Sequence, residues 1–172
     1  MVANESEKDT IVPTSGMSFE NQVLILRAYV ILSEKGSKPI HYRKVMSATR
    51  LARTQISGVN EFFIGLGLLK RVEIGTYLPS EELVQFYSKD VGNEDYEKLR
   101  KPIRDSTLFR SVKGFILIHG FATENEIIDY LLEESGETTK SRAKRSLEWL
   151  ERTQLIEIAD NNEVILLEKT SI

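Results

Sequence analysis

Apolar positions in this chain fall into two series with helical spacing, separated by a charged middle. Ser18 precedes Phe19, Val23, Leu26, Val30 and Ile31, which share one stripe of a helix, and its hydroxyl is a natural N-terminal cap. That helix is expected to stop at Lys35-Gly36, where glycine accepts the left-handed backbone of a helix end. A second helix is predicted over His41–Thr49, with Ile40, Val45 and Met46 inward, and a third from about Arg53 to Leu66 after a turn near Leu51. In the third, Ile56, Val59, Phe63 and Leu66 keep to one helical face. Leu68-Leu69 ends it, and Arg71–Leu78 reads as a hairpin turning near Gly75.

The same order returns from residue 105. Ser106 opens a helix carrying Leu108, Val112, Phe115, Ile116 and His119, which stops at Gly120. Thr123-Glu124-Asn125-Glu126 is a capping box in front of Ile127, Ile128, Leu131 and Leu132, and Gly136 closes that helix. A further helix is predicted over Lys140–Arg152 with Ala143, Leu147 and Leu150 inward, then a hairpin over Ile156–Leu167 turning at Asp160-Asn161-Asn162. The third helices of the two series align at an offset of 87 and the second helices at 82, so the second copy has a longer turn, Ser135–Thr139. Between the copies, Ser80 caps a helix over Glu81–Tyr87 and Asn93 caps another through Leu99. The expected organisation is a mobile tail over 1–17, a first domain over 18–79, a helical linker over 80–104 and a second domain over 105–172.

Composition narrows the function classes. The chain has 172 residues and a net charge of −3, yet residues 38–71 hold seven cations (Lys38, Arg43, Lys44, Arg50, Arg53, Lys70, Arg71) against Glu61 alone. Attraction to phosphate depends on the face presented rather than on the sum, so an acidic protein with one cationic helical unit suits DNA. Charge then alternates in blocks: −6 over 72–97, +5 over 98–113, −6 over 114–139. Such alternation also suits self-association. Cysteine is absent, which excludes disulfides and cysteine-ligated metal. The polar, acidic start and the lack of an ~18-residue apolar run lead to the expectation of a cytoplasmic protein with no secretory signal and no membrane partner.

In their order of elements the two segments resemble the winged-helix superfamily of helix-turn-helix domains, present twice, over about 18–79 and 105–168. The stretches that carry the likeness are RTQISGVNEFFIGLGLLKRV and KSRAKRSLEWLERTQLIEI. Both are similar to a recognition helix followed by Gly/Gln-Leu-Leu/Ile and then the wing. The resemblance implies a mainly α fold with small β-hairpin wings, two such domains in tandem, a third helix that enters the major groove and a wing on the neighbouring backbone.

On this reading double-stranded DNA is the expected partner. Arg43, Lys44, Arg50, Arg53, Lys70 and Arg71 supply phosphate contacts, and Thr54, Gln55 and Ser57 lie nearest the bases. Glu61 is either an acceptor for a cytosine amino group or a solubilising charge. Lys140, Arg142, Lys144 and Arg145 form a second, weaker DNA-binding set, because Glu148 lies four residues from both Lys144 and Arg152 and offsets part of that charge. Trp149 is either core or a partner-binding anchor. The cations of 98–113 are a solvated linker face, a phosphate contact or a counterweight to the adjacent acids. His41 and His119 lack metal-ligand spacing, and Gly65-Leu-Gly-Leu lacks the strand context of a nucleotide loop. Neither an enzyme nor a cofactor is expected. The function expected is a transcriptional regulator or chromosome-associated factor, with homodimerisation in view. The alternative is a non-catalytic assembly module that binds protein.

Overall fold

Hydroxyl and imidazole caps set the starts of most of the longer helices. In the computed structural model, which describes residues 9–87 and 95–167, α1 (Phe19–Leu32) begins where Ser18 Oγ accepts from the Asn21 amide at 3.2 Å. His41 Nδ1 accepts from the Arg43 amide at 3.2 Å and opens α2 (Tyr42–Thr49). Ser106 Oγ opens α6 (Thr107–His119), and Thr123 Oγ1 opens α7 (Glu124–Ser135). The third helix of each copy lacks such a cap. Ala52 precedes α3 (Arg53–Gly65), and α8 (Lys140–Arg152) follows Thr139, whose side chain makes no cap bond. At α3 the Gln55 side chain reaches back instead, its Oε1 accepting from the Ala52 amide at 2.9 Å.

The architecture is mainly helical with two small antiparallel sheets. The first sheet runs β1-β3-β2, from β1 (Ile40–His41), β2 (Leu69–Glu73) and β3 (Thr76–Pro79). Ile40 faces Tyr77, and Leu69 faces Pro79. The second pairs β4 (Ile156–Ile158) with β5 (Val164–Leu166), and an isolated bridge from Thr123 to Glu163 takes the place of β1. Helix, short bridge, helix, helix, hairpin thus occurs twice. Between the copies, α4 (Glu81–Tyr87), a 3₁₀ turn (Tyr96–Leu99) and α5 (Arg100–Arg104) bury Leu83, Phe86, Leu99 and Ile103. The expected linker is therefore part of the packed body. The expected cap Asn93 lies outside the described residues; Asp95 caps the 3₁₀ turn, accepting from the Glu97 amide.

One continuous core joins the copies. Trp149 is fully buried, its Nε1 donates to Gln22 Oε1 at 2.6 Å, and its ring meets Phe19 at 4.8 Å and Phe63 at 6.2 Å. Of the two readings of Trp149, core and partner-binding anchor, its burial supports core: a ring without exposure offers a partner nothing. It also explains α1, which buries Gln22, Ile25 and Tyr29 besides the expected stripe, because both sides of the helix are covered. Ile31, expected inward, is 65% exposed instead.

The expected mobile tail over 1–17 is corrected for residues 9–17, and its residues 1–8 lie outside the described residues. Residues 9–17 lie as a strap along α3 and α8, with Ile11, Val12 and Met17 buried. Thr14 donates from its amide (2.9 Å) and its hydroxyl (3.2 Å) to the Gly58 carbonyl, and Ser146 Oγ donates to the Ile11 carbonyl at 2.7 Å. Two glycines seven residues apart on α3 make room for it. A Cβ on Gly58 would lie 2.8 Å from Ser15 Cβ, and one on Gly65 would lie 2.7 Å from the Thr10 carbonyl oxygen.

Gly→Ala inside a helix ordinarily adds up to ~1 kcal/mol of stability. For Gly65→Ala we expect the opposite sign, a loss of about 1–3 kcal/mol by urea denaturation, with faster proteolysis before residue 17, because the methyl displaces the strap. A second expectation concerns pH. Burial pushes the Tyr29 phenol well above its ordinary range, and the hydrogen bond from Asn60 Nδ2 (2.9 Å) lowers it only in part. Folding then favours the neutral phenol, so its contribution is fully present below about pH 10 and declines as pH rises further, by up to ~1.4 kcal/mol per pH unit. Urea midpoints measured from pH 9 to 11 should fall in the wild type and fall less steeply in Tyr29→Phe.

Candidate nucleic-acid interface

Helices α2 and α3 meet at a turn in which Arg50 adopts a left-handed backbone (φ 60°), giving the turn room to close in three residues. On α3 the core face takes Ile56, Val59, Phe63 and Leu66, all fully buried, while the strap covers Gly58. Arg53, Thr54 and Ser57 remain as an exposed stripe at the N-terminal end. Arg43 and Lys44 are exposed on the first turn of α2. Arg53 lies over the Tyr42 ring, 5.7 Å from its centroid, and Tyr42 rests against His41 at 4.6 Å. Sequence reading missed this aromatic support, although Tyr42 lies directly beside Arg43 in the chain.

Four predicted cations, Arg43, Lys44, Arg50 and Arg53, therefore share the surface formed by α2, the turn and the start of α3. Among the described residues none of them makes an ion pair. Thr54 and Ser57 lie within the same surface. Gln55 differs from expectation: its side-chain oxygen is engaged as the cap of α3, which ties it to the protein backbone rather than to a ligand.

The hairpin side of α3 has another character. Glu61 forms an ion pair with Arg71, a partner that neither of its two readings named. A cleft of about 550 Å³ lies between α3, β2 and the strap, and Asp9, Glu61 and Glu73 line it together with Lys70 and Arg71. Three carboxylates against two cations make a poor phosphate cradle. The expected contacts on both sides of α3 thus reduce to one side, with Lys70 exposed at the margin.

On α8, Arg142 pairs with Glu137 at 2.9 Å, and Arg145 pairs with Glu148 at 2.9 Å; Arg152 reaches the same Glu148 at 3.4 Å. Lys140 and Lys144 stay exposed. The turn that sets the second copy apart from the first is what supplies Glu137. In the block 98–113, Leu99 and Ile103 face the core while Lys98, Lys101 and Arg104 point outward. Among the described residues no cluster of His, Asp or Glu is placed to hold a metal ion, and no helix is long and apolar enough to cross a membrane. Comparisons with protein-family models, with curated proteins and with solved structures returned no match.

Trp149 is the chain's one tryptophan, so its burial is directly readable. Its fluorescence should be protected from iodide in the folded protein and become quenchable in urea. Trp149→Ala should cost about 3–5 kcal/mol in denaturant unfolding, a core-sized loss.

Proposed function

We propose that this chain binds double-stranded DNA through the first of two winged-helix domains, as a transcriptional regulator or chromosome-associated factor. Arg43, Lys44, Arg50 and Arg53 make the phosphate contacts, and Thr54 and Ser57 approach the base edges. The observation that carries this reading is the set of four exposed cations around α2, the turn and α3, without ion pairs among the described residues, in a chain of net charge −3. Small hydroxyl side chains between those cations allow a groove to come close. The same comparison leaves the second domain a lesser part in DNA binding. Arg142 and Arg145, the two arginines of its expected contact set, already pair with carboxylates, and a phosphate would have to compete with them. That local neutralisation favours a protein-holding role for the second domain alongside the DNA-binding role of the first.

The reading predicts a salt dependence. Each phosphate neutralised contributes about −0.9 to the slope of log K against log salt, so four contacts give roughly −3.6. Fluorescence anisotropy with a mixed-sequence duplex should show affinity falling steeply between low and physiological salt. Arg50→Ala with Arg53→Ala should weaken binding and make the slope shallower by about 2. Absence of binding by the wild type at low salt, or an unchanged slope in the double variant, rules the assignment out.

A further inference from the structure

The cationic surface of the first copy rests on an aromatic ring that its charge alone does not require. Arg53, exposed at the start of α3, holds its guanidinium over the Tyr42 ring, 5.7 Å from the centroid. Tyr42 is half-buried at the first position of α2, and its ring lies 4.6 Å from that of His41. The β2–β3 hairpin holds this pair from the other side. Its turn residue Gly75 has φ 76°, and the Gly75 carbonyl accepts from the Tyr42 amide at 2.9 Å. A Cβ on Gly75 would lie 2.9 Å from His41 Nε2 and 3.3 Å from two ring carbons of Tyr42, so the turn packs against imidazole and phenol together. Hairpin turn, His41, Tyr42 and Arg53 thus form one series of contacts from the hairpin to the third helix.

The second copy repeats the backbone of this joint without the ring. At the offset of 82, His41-Tyr42 correspond to Thr123-Glu124, and at the offset of 87, Arg53 and Gly75 correspond to Lys140 and Asn162. The Glu124 amide donates to the Asn162 carbonyl at 2.8 Å, as the Tyr42 amide does to Gly75. Thr123 bridges Glu163 where His41 pairs with Thr76. The joint between second helix and hairpin therefore forms with a carboxylate in the phenol's place. What the ring adds in the first copy is a face for the cation of the third helix.

We propose that Tyr42 is a positioning residue for DNA binding, which holds the Arg53 guanidinium in place before the duplex arrives. This role rests on the DNA-binding reading and deepens it. An arginine free in solvent samples many rotamers, and fixing it on a phosphate costs conformational entropy. A ring face that already attracts the guanidinium removes part of that cost. The N–H donors of Arg53 stay available, since it makes no ion pair among the described residues. Tyr42 itself brings no charge to the interface, so its effect reaches DNA only by way of Arg53.

A double-variant cycle on a mixed-sequence duplex, read by fluorescence anisotropy, tests this role. Tyr42→Phe keeps the ring and should bind as the wild type does. Tyr42→Leu keeps an apolar side chain but loses the ring face, and should weaken binding by about two- to tenfold. In an Arg53→Ala background Tyr42→Leu should make no further difference, whereas beside Lys44→Ala it should keep its full effect. A merely structural Tyr42 would weaken binding alike in both backgrounds. Without DNA, the Arg53 Nε–Hε resonance should carry a ring-current shift that Tyr42→Leu abolishes and Tyr42→Phe retains. Wild-type binding that Tyr42→Leu leaves intact, an effect that persists in the Arg53→Ala background, or an Arg53 resonance that Tyr42→Leu does not move overturns this role alone. A wild type that binds no duplex at low salt overturns the DNA-binding reading and this role with it.

Discussion

The hydrogen bond from the Trp149 indole to the Gln22 amide oxygen joins two residues that are both fully buried and 127 positions apart. A lone amide in a core costs free energy unless its polar atoms find partners, and the indole N–H has the same requirement. Each meets the other's need, and Gln22 Nε2 also reaches the Met17 carbonyl at 3.5 Å. Phe19 and Phe63 pack around the indole from the first copy. The relative placement of the two repeated units depends on this cluster: losing either polar partner strands the other, whereas a slip between purely apolar surfaces would cost much less.

The strap acts on the same boundary from outside. Its residues touch α3 through Gly58 and Gly65 and touch α8 through Ser146; Thr107 at the start of α6 donates to Asp9 at 2.6 Å. As a result the two third helices are not independent surfaces that could be presented to one duplex in arbitrary relation. The exposed stripe of α3 is bounded by the strap on one edge and by a mixed-charge cleft on the hairpin side, which leaves the α2–turn end as the open cationic face.

Local physics made much of this legible in the sequence. Helical spacing placed α3 and α8, and spacing with a capping box placed α7, within about a residue of their observed limits, because both signals act over four residues or fewer. Pairings across distance were not legible. Nothing near Trp149 announces Gln22, and nothing near Arg71 distinguishes an ion pair with Glu61 from a free cation. Gln55 is engaged at the helix start because the residue before α3 is Ala52, which has no side-chain cap to offer, and no local pattern announces that reach-back bond. The tail did carry one signal that could have been read: Ile11-Val12, an apolar pair in a polar segment, next to a helix with small residues at Gly58 and Gly65.

The strap also constrains the order in which the chain can be completed. It leaves the ribosome ahead of its hydrogen-bonding partners, which follow 44 residues later at Gly58 and 135 residues later at Ser146. Until α8 has been made, Ile11 and Val12 have only part of their burial site, so a segment synthesised well before its partners is among the last to dock. Contacts of such sequence separation are slow to close and leave apolar surface exposed meanwhile. A nascent chain halted before residue 140 would hold a formed α3 beside a strap with half its seat missing.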